Sequence, residues 1–279
     1  MKIQSSQQAA FEHLLNISIQ LSNEEDTDLL MEKILLAAVE VSNADAGSIY
    51  LVNARQELEF RTIYNKSLDL HLGGSSSSVI TFPVIPLVVD NKPNLSAIVA
   101  HAANTGEVIN IDDVYTALPF DFSAARTMDG KTGYRTKSML TFPLKDHTGD
   151  IIGVIQLINA MDETKIVSFS KQIEQQILSF AALGAIALTN RALISNMEQL
   201  FESFAKTIAA AIDTKSAHTG GHCKRVPELT LMFADAVSDY EEGPLASFKL
   251  TPEDRHQLNI AGWLHDCGKI ATPDHIMEK

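Results

Sequence analysis

Cysteine is scarce in this sequence, since Cys223 and Cys267 are the only two among 279 residues. Two thiols cannot form the disulfide framework that holds a small secreted domain together. A hydrophobic core must therefore stabilise the fold. A chain of 279 residues is long enough for one large or two ordinary domains with such a core.

Basic residues are also few. The chain has 22 Lys and Arg against 35 Asp and Glu, which gives a formal net charge of −13. Nucleic acids and anionic membranes bind basic surfaces, because the protein must replace the counterions of the phosphates. We therefore expect neither a nucleic acid nor a membrane as a partner.

Long apolar runs are missing as well. The longest strongly apolar stretch, Ile177–Leu188, is shorter than the roughly 20 residues that span a bilayer. The N-terminal sequence MKIQSSQQAAFEHLL has neither the apolar core nor the cleavage site of a secretory signal. The sequence thus predicts a cytoplasmic protein.

What the chain does have is the composition of a globular protein, with 45% hydrophobic and 20% charged residues. Apolar residues recur at helical spacing over residues 8–40, and the segment SNEEDTD supplies cap residues and a break. The period then changes to two in four segments, with the turn signal KDHTGD between the last two: 46–52, 57–63, 138–144 and 151–159. Helices on both sides of such a run predict an α+β domain built on an antiparallel sheet.

A long helical pattern begins at Ser168, and residues 185–219 contain neither Gly nor Pro. Apolar residues step along it by three and four, as in a coiled coil: Leu193, Met197, Leu200, Phe204, Ile208 and Ala211. We expect these residues to pair two copies of the chain into a homodimer through their long helices. Packing of the same face onto its own domain is the alternative.

Histidines gather near the C-terminal end of the sequence. His218 and His222 stand four residues apart at a predicted helix start. His265 and Asp266 follow an apolar helical pattern that we expect to end at Gly268 as the C-cap. Imidazole and carboxylate together suit divalent iron, manganese or zinc-like ions.

Several motifs in the first two thirds of the chain stand in the order and spacing of one known family. They are ADAGSIYLV at 44–52, LSAIVAHAANTGEVINIDDVY at 95–115, MDGKTGYRTKSMLTFPL at 128–144 and GDIIGVIQLINA at 149–160. These motifs resemble the GAF domains of cyclic-nucleotide-regulated phosphodiesterases and bacterial cyclases. The resemblance implies a six-stranded antiparallel sheet that carries helices on one face and holds a small ligand under a lid on the other.

By matching position, the resemblance assigns the ligand pocket to Ile98, Val99, Asp129, Thr132, Thr136 and Gln156. Hydroxyls and a carboxamide can satisfy a purine edge, and backbone amides at a helix start can hold a phosphate, so a cyclic nucleotide is the candidate ligand. The family's motif of Asn-Lys, Phe and Asp-Glu is incomplete here, however. Asn159, Phe169 and Glu174 are present, but Ala160 and Ile173 replace the Lys and Asp of the usual ion pair, which weighs against a cyclic nucleotide.

A second resemblance covers the C-terminal end. The segments HTGGHCKRV, LHDCGKI and TPDHIMEK resemble the HD superfamily of metal-dependent phosphohydrolases, in the HD-GYP branch that hydrolyses cyclic di-GMP. The resemblance implies divalent metal ions, with iron or manganese favoured. It assigns the following roles: His222, His265, Asp266 and His218 as metal ligands, and Asp266 and Lys269 as catalytic residues.

Members of that branch continue with further histidines, an aspartate and a Gly-Tyr-Pro loop. We therefore expect a fragment of a longer sensor phosphodiesterase, itself inactive. Its regions would be an N-terminal helix (1–23), a GAF sensor domain (24–190), a connecting dimer helix (191–217) and the start of an all-α HD domain (218–279). Two alternatives stay open: a non-catalytic GAF ligand-binding and dimerisation module, and an HD phosphohydrolase that acts on another nucleotide.

Overall fold

The computed structural model describes Leu21 and residues 24–76, 78–215 and 221–273. The chain divides into two compact units, Met1–Ala192 and Leu193–Lys279. The predicted helix over residues 1–23 lies outside the described residues, apart from the helical and buried Leu21.

The first unit is built on an antiparallel sheet, as the sequence predicts. Its strands are β1 (Ala44–Val52), β2 (Glu57–Asn65), β3 (Leu70–Gly73), β4 (Ile85–Pro86), β5 (Val88–Val89), β6 (Lys92–Pro93), β7 (Ile109–Ile111), β8 (Met139–Lys145), β9 (Ile151–Asp162) and β10 (Lys165–Val167). Six strands follow the order β3-β2-β1-β9-β8-β7, while β4 pairs with β2, β10 pairs with β9, and β5 and β6 form a separate pair. The four strands predicted from alternating residues are confirmed as β1, β2, β8 and β9.

Three helices follow the local sequence signals of the first unit: α1 (Thr27–Ser42), α2 (Ile98–Thr105) and α3 (Ser123–Thr132). The start of α1 is set by Asp26, whose Oδ1 accepts hydrogen bonds from the amides of Asp28 at 2.8 Å and Leu29 at 3.0 Å. Such a side-chain cap satisfies amides that have no partner inside the helix. The cap residues predicted in SNEEDTD are therefore confirmed.

Both faces of the sheet are covered, which explains why β1 and β8 are buried almost throughout. One core joins α1, the first turns of the long helix and one sheet face, with Leu30, Ile34, Ile49, Phe142, Ile155 and Phe180 among its members. The other joins α2 and the opposite sheet face, with Tyr50, Ile98, Val99, Val114, Met139 and Val154 among its members. Neighbouring residues such as Ile49 and Tyr50 enter opposite cores, because successive strand side chains point to opposite faces.

A single helix, α4 (Lys171–Lys215), runs for 45 residues, so the helix predicted from Ser168 is confirmed. By length and composition, this helix could cross a membrane, which the shorter run Ile177–Leu188 did not indicate. Core helices of globular proteins pass the same test, and Ile177 and Phe180 of α4 are buried in the first core. Packing within the first unit accounts for these buried residues, which are part of the 33% of the apolar window that is buried.

The second unit contains the end of α4, α5 (His222–Asp239), α6 (Pro252–Leu264) and a short 3-10 helix (Cys267–Ala271). A capping box starts α6, because Thr251 and Asp254 bond each other's backbone amides and Pro252 needs no amide partner. The predicted C-cap at Gly268 is wrong. The α-helix already ends at Leu264, because the chain tightens into the 3-10 turn that contains Gly268.

Candidate functional site

A cavity of about 360 Å³ lies against the sheet in the first unit. The structure brings together all six positions assigned by the first resemblance, since each of them lines this cavity: Ile98, Val99, Asp129, Thr132, Thr136 and Gln156. Further lining residues were not predicted, including Ser48, Tyr50, Phe60, Phe82, Met128 and Tyr134. The role of these side chains toward a ligand stays a prediction.

The inner wall of the cavity is a chain of polar groups across the central strands. Strand pairing places Ser48 opposite Gln156 and Gln156 opposite Thr141. The Ser48 hydroxyl donates to the Tyr50 hydroxyl at 3.2 Å, and that hydroxyl faces Gln156 Oε1 at 3.5 Å. Burial raises the pKa of Tyr50 to about 12, so its hydroxyl stays protonated and able to donate at neutral pH.

Aromatic rings form another part of the wall. The ring centroids of Tyr50 and Phe60 are 4.3 Å apart, and those of Phe60 and Phe82 are 5.3 Å apart. Such rings offer apolar faces against which a flat heterocycle can pack. The cavity therefore combines an aromatic wall with a small number of hydrogen-bonding groups, as small-molecule sites commonly do.

The start of α2 opens onto the same cavity. Its N-cap residue, Ala97, has no side chain that could accept a hydrogen bond from the first amides. Ala97, Ile98 and Val99 all line the cavity. Uncapped amides and the positive end of the helix dipole favour an anionic group at this place. Among the lining residues that the structure describes, the charged side chains are Asp121 and Asp129, both acidic.

The residues of the incomplete family motif make other hydrogen bonds in place of the missing Lys–Asp ion pair. The Nδ2 group of Asn110 donates to Glu174 Oε2 and to the Phe169 carbonyl, at 3.0 Å in both cases. Asn159 is held in the left-handed region, with φ of 57°, and its side chain bonds the carbonyl of Arg135 at 2.8 Å. The Asn, Phe and Glu of the motif thus have structural partners, without the Lys–Asp ion pair.

A second cluster lies in the other unit, where His222, His265 and Asp266 offer ligand atoms that all lie within 4.8 Å of one another. The Nε2 atoms of the two histidines are 3.1 Å apart. Asp266 Oδ2 lies 3.3 Å from His265 Nε2 and 3.6 Å from His222 Nε2. Three such donors at this spacing could converge on one divalent ion. His218 lies outside the described residues.

The positions of the two histidines follow from local structure. His222 is the first residue of α5, and His265 immediately follows α6. The ring of His265 is oriented by a hydrogen bond from Nδ1 to the Gly262 carbonyl at 2.7 Å. Because a carbonyl can only accept, Nδ1 donates this bond, and Nε2 is the ring nitrogen that faces His222 and Asp266.

Asp266 and Lys269 form an ion pair at the edge of the cluster. Burial alone would raise the pKa of Asp266, but the hydrogen bond from Lys269 and the nearby positive groups of His265, Lys269 and His222 hold that pKa below its ordinary value. The carboxylate is therefore ionised, which is the form that binds a cation. Its partner Lys269 places a positive charge within reach of any anion bound there.

The family of the first unit is established by sequence. The GAF domain family model matches residues 26–188, more than half of the chain, and the chain belongs to this family. The expected α+β fold with an antiparallel sheet and flanking helices is confirmed. The match ends before α5, so the HD resemblance stays a prediction.

The curated relatives of this chain include cyclic-nucleotide phosphodiesterases. The dual 3',5'-cyclic-AMP and -GMP phosphodiesterase 11 of Drosophila melanogaster is 27% identical over 266 residues, covering 86% of this chain and 18% of that protein. The dual 3',5'-cyclic-AMP and -GMP phosphodiesterase 11A of Takifugu rubripes is 28% identical over 187 residues, covering 66% of this chain and 19% of that protein. The chain thus spans about a fifth of the length of these relatives.

Solved structures with a similar chain include GAF domains. One is the GAF domain from an Acinetobacter phosphoenolpyruvate-protein phosphotransferase, with a TM-score of 0.49 and 14% identity, covering 67% of this chain and 98% of that chain. A second similar structure comprises residues 122 to 287 of a methyl-accepting chemotaxis protein, with a TM-score of 0.47 and 21% identity, covering 64% of this chain and 98% of that chain.

Proposed function

We propose that the first unit is a sensor that binds a small ligand in its cavity, with a cyclic nucleotide as the first ligand to test. The observation that carries the proposal is the cavity of about 360 Å³, which is lined both by polar groups of the central strands and by the uncapped start of α2. The names of the curated relatives, cyclic-AMP and cyclic-GMP phosphodiesterases, support this choice of ligand.

Each part of a cyclic nucleotide has a matching group in the cavity. The amides at the start of α2 suit the phosphate, because they are uncapped donors at the positive end of a helix. The rings of Phe60 and Phe82 suit the face of the base. Gln156 and Thr136 suit its edge, since a carboxamide and a hydroxyl both donate and accept.

The test is calorimetric titration of the wild-type chain and of Gln156→Leu with cyclic AMP and cyclic GMP. Loss of a hydrogen bond from the edge of the base should weaken binding about fivefold, since a net hydrogen bond contributes about 1 kcal/mol. Gln175→Leu is the matched control, because Gln175 is exposed on α4 and does not line the cavity. Equal affinity in Gln156→Leu and the wild type would exclude the assigned role of Gln156.

For the second unit we propose a divalent-metal site of the HD phosphohydrolase type, held by His222, His265 and Asp266. The supporting observation is the convergence of their donor atoms within 4.8 Å. The donor set fits, because Nε2 of His265 faces the cluster while its Nδ1 is held by the Gly262 carbonyl, and the carboxylate of Asp266 is ionised. Iron and manganese suit this mixture of nitrogen and oxygen donors.

The chemistry of the proposed site is hydrolysis of a phosphodiester. A divalent ion bound there would lower the pKa of a bound water and offset negative charge on the phosphate. Lys269 would orient the substrate by binding a nonbridging phosphate oxygen, and His265 is kept in its metal-binding orientation by the Gly262 carbonyl. Cyclic di-GMP as the substrate is supported by the sequence resemblance alone; another nucleotide is the alternative.

Metal binding is tested by titrating the chain with Mn²⁺ in a calorimeter. His265→Ala should weaken binding at least tenfold, whereas His256→Ala should leave it unchanged, because His256 lies on α6 outside the cluster. Equal Mn²⁺ affinity of the wild type and both variants would exclude the proposed metal site. Hydrolysis of cyclic di-GMP is then measured separately; turnover that Asp266→Ala abolishes would support the phosphohydrolase site.

We also propose that the chain forms a homodimer through α4. The predicted apolar face leaves Leu193, Met197, Leu200 and Phe204 between 50% and 70% exposed, and single chains rarely leave such a row uncovered. Ile208 belongs to this face only in part, since it packs against the small core of Ala209, Ile212 and Cys223. A shift of the paired helices on ligand binding would be the signal passed along α4.

A further inference from the structure

The helix that covers the cavity is held in an unusual way. Ala124, Ala125, Met128, Asp129 and Thr132 of α3 all line the cavity. Asp129 is the only residue of α3 that is buried. The N-cap residue Phe122 is buried in the second core and Ala125 packs against that core. The helix otherwise buries little apolar area, and the hydrophobic effect acts in proportion to that area, so polar contacts contribute to its position.

Those contacts converge on one carboxylate. The Oδ2 atom of Asp129 accepts hydrogen bonds from the Tyr115 hydroxyl and from the Thr136 amide, both at 2.9 Å. Its Oδ1 atom accepts a hydrogen bond from the Thr136 hydroxyl at 2.8 Å. Hydrogen bonds to an ionised acceptor are among the strongest in proteins. The carboxylate oxygens that the first resemblance assigned to a ligand are thus occupied by the protein itself.

Tyr115 connects α3, which forms the lid of the cavity, to neighbouring residues. The guanidinium carbon of Arg135 lies 3.3 Å from the centroid of the Tyr115 ring, and that of Arg126, which belongs to α3, lies 5.4 Å from it. The Tyr115 amide donates to Asp113 Oδ1 at 2.9 Å, which fixes the backbone that carries the ring. The stacked cations strengthen the placement of the ring and of its hydroxyl.

We propose that Asp129, Tyr115 and Thr136 form a latch that holds α3 closed over the cavity, and that breaking this latch admits and releases the ligand. Asp129 is then a positioning residue, while Thr136 is placed for ligand contact by its two bonds to Asp129. Polar attachment with little apolar burial is what allows a local segment to open without unfolding the domain. The ligand part of this inference rests on the proposed sensor function; the latch itself is measurable without any ligand.

The experiment is amide hydrogen exchange of the full ligand-free chain, read by mass spectrometry. Tyr115→Phe and Asp129→Asn each remove part of the latch, and Tyr64→Phe is the matched control because Tyr64 lines the cavity from β2 and not from the lid. Amides of residues 123–136 should exchange about tenfold faster in both latch variants, as loss of one hydrogen bond to a charged group implies. Amides of β1 and β9 should keep their wild-type rates.

Two results would overturn the latch: unchanged exchange of residues 123–136 in both variants, or faster exchange of β1 and β9 as well, which would make Asp129 a general support of the fold. Dissociation of cyclic GMP and cyclic AMP, followed by stopped flow, tests the gating. Faster release from Tyr115→Phe than from the wild type supports it, and equal release overturns it. If neither nucleotide binds the wild type, the proposed ligand is wrong, but the hydrogen-exchange rates still test the latch.

Discussion

The close approach of α5 and α6 at Gly262 gives a sharp test of the metal cluster. An alanine Cβ at this position would lie 2.8 Å from both Cα and Cβ of Pro227 and 3.3 Å from its nitrogen. Ordinary carbon contacts lie at about 3.5–4.0 Å, so the two helices would have to separate by roughly 0.7 Å or more. These atoms include the backbone of Pro227, which cannot rotate away. Gly262→Ala therefore acts on the distance between the helices.

The expected magnitudes follow from this separation. Overpacking costs about 1–3 kcal/mol, and the better helix propensity of alanine returns about 1 kcal/mol, so we expect a net loss of about 1 kcal/mol in the free energy of unfolding. The Nε2 atoms of His222 and His265, now 3.1 Å apart, would move apart with their helices. Metal–ligand distances tolerate only about 0.2 Å, so Mn²⁺ affinity should fall more than tenfold.

The assays are urea unfolding and Mn²⁺ calorimetry, with Gly268→Ala as the matched control. An added Cβ at Gly268 would meet no described atom within 4 Å, so this variant should keep wild-type stability and affinity. A Gly262→Ala protein that is more stable than the wild type, or that binds Mn²⁺ equally well, would refute the argument that this contact sets the geometry of the cluster.

Three further predictions concern reactivity, assembly and stability. Burial and the neighbouring Asp213 raise the pKa of Cys223 to about 11, so at pH 8 iodoacetamide should modify the exposed Cys267 first. Equal rates of modification of Cys223 and Cys267, measured by mass spectrometry, would contradict the burial of Cys223. Leu200→Glu with Phe204→Glu should convert the proposed homodimer to a monomer in sedimentation equilibrium, whereas an unchanged mass would mean that this face of α4 pairs no copies. Phe180→Ala should lower the free energy of unfolding by about 3–5 kcal/mol, because the ring is fully buried; a loss below 1 kcal/mol in urea unfolding would show that α4 adds little to the first core.

Much of the first unit could be predicted from the sequence, because its signals are local. Alternating residues located β1, β2, β8 and β9, and the acidic run before α1 contained its cap, Asp26. The end of α6 was missed, since a 3-10 turn and an α-helix share the same short-range signals. Such boundaries depend on contacts that are distant in sequence.

The candidate sites also combine features that the sequence predicts with features that depend on contacts distant in sequence. The six assigned cavity positions meet in one place, but sequence alone treated Asp129 as a ligand contact. Its bonds to Tyr115 and Thr136 depend on the folded path of the chain, and no spacing rule indicates them. Similarly, nothing local indicates that Gly262 allows α5 to approach and that its carbonyl orients His265.

The central claim is that the cavity of the first unit is the ligand site. Ala125 lines the cavity from α3, whereas Thr127 of the same helix is exposed and does not line it. A phenylalanine at either position adds the same ring, but only Ala125→Phe fills the cavity.

The decisive measurement is therefore the affinity of Ala125→Phe, Thr127→Phe and the wild type for cyclic AMP and cyclic GMP by calorimetry. We predict one ligand per chain for the wild type and Thr127→Phe, and no measurable binding by Ala125→Phe. Equal binding by all three proteins, or no binding by the wild type, would contradict the account.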